Sequence, residues 1–150
     1  MRTLLKTLCV TLALPAGAFA LGQDVDINET NFPDQIFRGW PLDKGNLNGM
    51  GADGVLTSGE LAQITVLDLS DLGIGDLTGI SHFTALEQLN VNNNRLTSLD
   101  VSKNTRLTSL YCATNALEHL DVTGCPELVD LNCERNRLTE LNLAGNLKLV

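Results

Sequence analysis

Aromatic side chains make up only 4% of this 150-residue chain, although 43% of it is hydrophobic. Basic residues are also scarce, with 10 Lys and Arg against 18 Asp and Glu and a net charge of −8. That balance excludes a nucleic-acid partner, because phosphate binding needs a basic surface. Charged residues reach only 19%, so the chain reads neither as a disordered tail nor as a membrane bundle. What is abundant is leucine, with 24 copies between Leu21 and Val150. A core built from one side-chain type points to one small unit used repeatedly.

The first twenty residues read as an address. Arg2 and Lys6 form a positive start, Leu4 to Leu14 an apolar stretch, and Ala18-Phe19-Ala20 a small-x-small cleavage site. The apolar stretch is too short to span a bilayer. No small residues precede Cys9 closely, which argues against a lipid anchor there. The reading is export through the bacterial general route with cleavage after Ala20, to the medium, the cell surface or the periplasm. The mature chain then carries 8 basic and 18 acidic residues, with no transmembrane segment left. Cys112, Cys125 and Cys133 remain, an odd number that leaves at least one thiol unpaired.

Leu86, Leu107, Leu128 and Leu149 follow one another at intervals of 21 residues. Aligned on them, the coils read LEQLNVNNNRLTSLDVSKNTR, LTSLYCATNALEHLDVTGCPE and LVDLNCERNRLTELNLAGNLK. Asparagine recurs at Asn94, Asn115 and Asn136, and again at Asn104 and Asn146, with Cys125 in that second place in the middle coil. An earlier coil, ITVLDLSDLGIGDLTGISHFTA, is one residue longer and has Leu72 at the asparagine place. Self-similarity at this period marks a stacked repeat.

The unit resembles the leucine-rich repeat family, whose pattern L-x-x-L-x-L-x-x-N-x-L is followed from Leu86 to Leu96, with Val91 in one leucine place. The resemblance implies a leucine-rich repeat solenoid over residues 64–150, about four coils, with one short parallel strand per coil. The alternation in Leu89-Asn90-Val91 agrees, being the period of a half-buried strand. The second half of each coil also alternates, so the opposite side is expected to be extended. Asn94, Asn115 and Asn136 are expected to line one edge with buried amides bonded to backbone, a structural role. Cys112 and Cys133 are expected in the core rather than in a disulfide, because stacked parallel strands offer poor geometry for one. Cys125, at a turn, is expected to be the most reactive thiol. The chain stops at Leu149-Val150, just as a further coil would start and without a polar cap. That is read as an incomplete gene or a fragment, the alternative being a short protein that associates through this end.

Residues 21–63 read as a helical N-terminal cap over the open first coil, which solenoid stability requires. Asp24 to Thr30 is expected to be extended. A helix is expected to start at Asn31-Phe32-Pro33 and to bury Phe37, Trp40 and Leu42. A second helix opens at Thr57, which has capping-box spacing to Glu60. Asp53 to Glu60 is similar to the second half of an EF-hand calcium loop, with Gly54 at the sharp turn and Asp53, Val55 and Glu60 as metal ligands. The first half departs from it, since the first and third ligand places fall on Gly49 and Gly51. Two readings follow: a structural relic with no cofactor, or a calcium-dependent loop over residues 43–60.

An EF-hand-like cap leading into 21-residue coils is similar to secreted bacterial proteins of the internalin and surface-antigen type. That resemblance implies binding of a protein partner, on another cell in many members, and it carries over no individual residue. In the coil frame the outward concave residues form three sets: Val66, Gln88, Ser109 and Asp130; Asp68, Asn90, Tyr111 and Asn132; and Ser70, Asn92, Ala113 and Glu134. Tyr111 is their one aromatic and the expected anchor, with Asn90, Asn92 and Asn132 around it. The plainer alternative is that Tyr111 only covers neighbouring backbone. Catalysis is not expected. His82 and His119 fall in different coils without metal-pair spacing, and neither a Gly-x-Ser-x-Gly nor a phosphate-cradling loop is present.

Overall fold

A computed structural model describes residues 22–43 and 45–150; the expected export segment, 1–20, lies outside them. Four strands, β3 (Val66–Asp68), β4 (Gln88–Asn90), β5 (Ser109–Tyr111) and β6 (Asp130–Asn132), form one parallel sheet in sequence order. Its register pairs Val66 with Gln88, Gln88 with Ser109 and Ser109 with Asp130. The offset is therefore 22 residues at the longer first coil and 21 thereafter. The fold is a leucine-rich repeat solenoid. Leu67, Leu89 and Leu110 at the strand centres are buried, as are Leu86, Leu107 and Leu128 one turn earlier. On the opposite side only single bridges form, Asp100 with Asp121 and Asp121 with Asn142. The first coil makes a 3-10 turn there, Ile80–His82, and each later coil follows its bridge residue with two successive turns, as at Val101–Asn104 and Asn104–Leu107.

Two asparagine ladders stitch the coils together. In the first, the side-chain oxygens of Asn94, Asn115 and Asn136 accept from the amides of Ile74, Leu96 and Leu117 in the preceding coil. Their amide groups donate back to the carbonyls of Leu69, Val91 and Cys112 at 2.8–2.9 Å. These three side chains are half-buried rather than fully buried as expected, because they sit at the bend where the chain leaves the sheet. The fully enclosed ladder is the second one. Asn104 donates to Ile80 and Phe83, and Asn146 to Val122 and Cys125. Between them the Cys125 thiol donates to the carbonyls of Val101 and Asn104 at 3.6 and 3.7 Å. Cys125 is thus a buried ladder rung and not an accessible thiol, which corrects the sequence expectation.

The cap begins with β1 (Val25–Asp26), antiparallel to β2 (Val55–Leu56). Helix α1 (Gln35–Leu42) starts later than expected, because Asp34 and not Asn31 is its cap, accepting from Ile36 and Phe37. Phe37 and Pro41 are buried and Trp40 half-buried, while Leu42, expected inside, is 40% exposed. Helix α2 (Ser58–Leu61) opens with the expected capping box between Thr57 and Glu60. Phe32, Phe37 and Phe83 meet at centroid distances of 5.4 to 6.4 Å and join the cap to the first coil. Gly79 passes beneath them at φ 105°, where a Cβ would lie 2.5 Å from both the Asn31 oxygen and the Phe32 ring. Only glycine fits there.

Candidate binding face

The outward residues of the strands share the concave face, but not on equal terms. Gln88, Asp130 and Glu134 are exposed, and Asn90, Asn92, Tyr111 and Asn132 are half-buried. Ser109, expected outside with them, is only 8% exposed, so it belongs to the packing and leaves the candidate set.

At the second outward place three of the four coils carry Asp or Asn, and each does the same work. The Asp68 carboxylate accepts from the amide and hydroxyl of Ser70. Asn90 accepts from the Asn92 amide, and Asn132 from the Glu134 amide. These are turns closed by a side chain two residues earlier. Tyr111 occupies the same place in the third coil and cannot accept there. The amide it leaves open, on Ala113, is taken by the Asn92 side chain of the neighbouring coil at 2.7 Å. The aromatic ring therefore interrupts a repeating structural device, and a second substitution compensates for it.

The electrostatics of this face are acidic. Asp68, Asp130 and Glu134 lie among the outward residues with no basic side chain in the three sets. The Ser70 hydroxyl and amide hold the Asp68 carboxyl below the usual carboxylate range, so it stays ionised well into acid. The thiols move the other way. Burial, with the neighbouring Cys133 adding to it, pushes Cys112 up to about 12, and burial beside Asp121 pushes Cys125 up to about 11. Cys133 is also raised by burial. All three are free thiols in the described residues and remain protonated at neutral pH.

The expected metal ligands are each engaged in local contacts. Both contacts of Glu60 are made by one carboxylate oxygen, which accepts from the Thr57 amide and hydroxyl at 2.8 Å, and so close the capping box. Asp53 accepts from the Val55 amide, and Val55 itself lies in β2. Glycine stands at two further ligand places and supplies no side-chain oxygen there. Among the described residues no group of three or more His, Cys, Asp or Glu is placed to hold a metal ion. His82 packs on the Phe32 ring at 5.8 Å, whereas His119 lines a cleft with Asp100 and Asp121.

No protein-family model and no curated protein matches the chain. Solved structures do. The functional domain of InlJ from Listeria monocytogenes, described as including a cysteine ladder, is 37% identical with a TM-score of 0.75, covering 86% of this chain and 28% of that one. An internalin, InlF, from the same species is 26% identical with a TM-score of 0.72, over 87% of this chain and 38% of that one. Internalin C2 matches in fold, at 23% identity and a TM-score of 0.74, over 88% of this chain and 58% of that one. The chain thus spans between about a quarter and three fifths of the length of these structures. It is a leucine-rich repeat protein, and its coils are internalin-like. Among the described residues no helix is long and apolar enough to cross a membrane.

Proposed function

We propose that the coils form a protein-binding module, working outside the bacterial cell or on its surface, whose contact face is the concave sheet around Tyr111. The observation that carries this is the break in the Asp/Asn series. A residue kept only for architecture at that place would be another Asn, and the Ala113 amide would not need Asn92. Tyrosine buries a large area on binding at little entropic cost, which suits an anchor. Gln88, Asn90, Asn92, Asp130, Asn132 and Glu134 surround it with hydrogen-bonding groups. On this reading the coils bind and do not catalyse, and the loop over residues 43–60 is architecture. Melting curves in millimolar calcium and in chelator should then coincide, and a calcium-induced rise would restore the metal reading.

The direct test is Tyr111→Asn. The substitution returns the third coil to the pattern of its neighbours, so the melting temperature should hold or rise. Capture of partners from surface extracts of host or bacterial cells should fall. A folded Tyr111→Asn protein that retains every partner would remove the concave centre from consideration.

A further inference from the structure

β3 is the edge strand of the sheet, and the concave face continues past it onto the cap. Beyond it the cap supplies an open cleft of about 300 Å³, in which Trp40, Leu47, Met50 and Val66 meet the polar Asn48, Gln63 and Thr65. Val66, the first outward residue of β3, is 55% exposed although it is a large aliphatic side chain. Trp40 and Met50 are half-buried against the core and leave part of their surface to solvent. The described residues lining this corner carry no charged group. Partly exposed tryptophan and methionine beside an exposed aliphatic are residue types enriched in interface cores.

The wall is held by an unusual backbone. Leu47 and Asn48 are consecutive non-glycine residues in the left-handed region, at φ 45° and 54°. Leucine rarely adopts that conformation. The turn is braced by the Asn46 side chain donating to the Trp40 carbonyl at 2.9 Å, and by the Met50 amide donating to the Leu47 carbonyl at 3.1 Å. Strain of this kind persists where the surroundings impose it, and it collects at ligand contacts.

We propose that this corner seats one apolar side chain of an extended protein segment whose neighbouring basic residues lie across the acidic concave face. The proposal rests on the concave face being the contact surface. Charge complementarity selects the occupant. One step from Val66 along β3 lies the ionised Asp68, and Asp130 and Glu134 follow on and after β6, with no outward basic residue between. From β3 to β6 the sheet spans roughly 14 Å, which an extended segment covers in four or five residues. An aliphatic anchor followed by alternate lysines would place its charges over these carboxylates. A lysine next to the anchor would also meet the face of Trp40.

Trp40 is the only tryptophan in the chain, so its emission reports on the corner directly. The probe is a synthetic peptide of about ten residues, with one leucine followed by lysines at alternate positions. Peptides with alanine for the leucine, or glutamate for the lysines, serve as controls. Titration of the whole chain with the leucine–lysine peptide should shift Trp40 emission to the blue and saturate. The alanine peptide and the Val66→Ser protein should each bind at least about tenfold more weakly, and Asp68→Asn about threefold, with less salt dependence. Val66 is exposed and Asn preserves the turn to Ser70, so both proteins should keep the wild-type circular dichroism. No emission change and no heat up to millimolar peptide would overturn the proposal, as would equal binding of the glutamate or alanine peptide. An emission shift that follows protein concentration without peptide would assign the corner to a second copy and also overturn it. If Val66→Ser binds normally and Tyr111→Asn does not, the corner is overturned while the concave reading stands. If Val66→Ser loses binding and Tyr111→Asn keeps it, the corner stands and the Tyr111-centred reading falls.

Discussion

The coils are held by bonds that recur every 21 residues, whereas the cap is held by bonds made once. Asn94, Asn115 and Asn136 each repeat the same pair of contacts to the coil before them. The cap has one aromatic cluster, one capping box and one bridging carboxylate, Asp34, whose second oxygen accepts from Gly75 and Asp76 in the first coil. A periodic structure spreads its stability, since each coil contacts only its neighbours. The cap concentrates its stability, so a single substitution there should cost more than one in a ladder.

Phe32→Ala breaks that comparison most directly. The ring is fully buried and touches Phe37, Phe83 and His82. Its loss should lower the unfolding free energy by about 3–5 kcal/mol, read from denaturant curves followed by circular dichroism. A loss under about 1 kcal/mol would show that the coils do not depend on the cap.

Asn115→Ala removes one rung, leaving the Leu96 amide unpaired and the Val91 carbonyl with Asn94 alone, at about 1–3 kcal/mol. Asn104→Cys should cost less than half of that. Cys125 already fills the equivalent place with a thiol, and the Asn104 side-chain oxygen is buried without a hydrogen-bond partner, so its removal relieves a cost. Equal losses for the two variants would mean that the second ladder has no tolerance for sulfur.

The coils were legible in the sequence and the cap much less so, and the reason is the same difference. A feature present three times can be aligned with itself, which placed Leu89, Val91 and the asparagines without any structure. Nothing in the cap repeats. Asp34 reads as a favourable charge in a first turn, and its bridge to Gly75 and Asp76, 41 and 42 residues away, has no local signal. Leu42 and Trp40 read as one buried stripe, because helical spacing cannot tell which end of α1 the coils cover. Even within the coils, departures from the repeat misled. Ser109 shares its place with exposed residues but is enclosed, and Cys125 looked accessible because it stands in for a turn asparagine that proved to be buried. The Trp40 corner was invisible, since Leu47 and Asn48 give no hint of left-handed backbone.

Asp34→Asn tests the bridge between the two regions. Burial raises the Asp34 carboxyl, but amides of Phe37, Gly75, Ile36 and Asp76 outweigh it and hold its pKa below 3.8. A carboxylate depressed in the folded state stabilises it fully above the ordinary value and loses that contribution as pH falls through the folded one. The variant amide still accepts on one side and presents N–H to N–H on the other. It should therefore be about 1–2 kcal/mol less stable at neutral pH. The gap should hold down to about pH 5 and close below 3.8 as the wild-type carboxyl protonates. His82, lowered from 6.5 by burial, is common to both proteins and drops out of the difference between them. A gap that does not narrow at all as the pH falls below 3.8 would mean that shape and not charge joins cap to coils.

The smallest expected effect lies inside the repeat. One residue per coil turns left-handed after the strand: Asp71, Asn93, Thr114 and Arg135, at φ between 53° and 60°. Its amide extends the sheet, Asn93 donating to Ala113 and Thr114 to Glu134. Asp and Asn tolerate that conformation, whereas a β-branched threonine does not. Thr114→Asn should therefore stabilise the chain by about 0.5–1 kcal/mol, as a raised denaturant midpoint with unchanged slope. Thr114 sits three residues after Tyr111, so the coil that breaks the Asp/Asn series also carries the least suitable turn residue. If the strain is incidental, Thr114→Asn gains stability and captures partners as the wild type does. If capture falls while stability rises, the strain is part of how the third coil presents Tyr111.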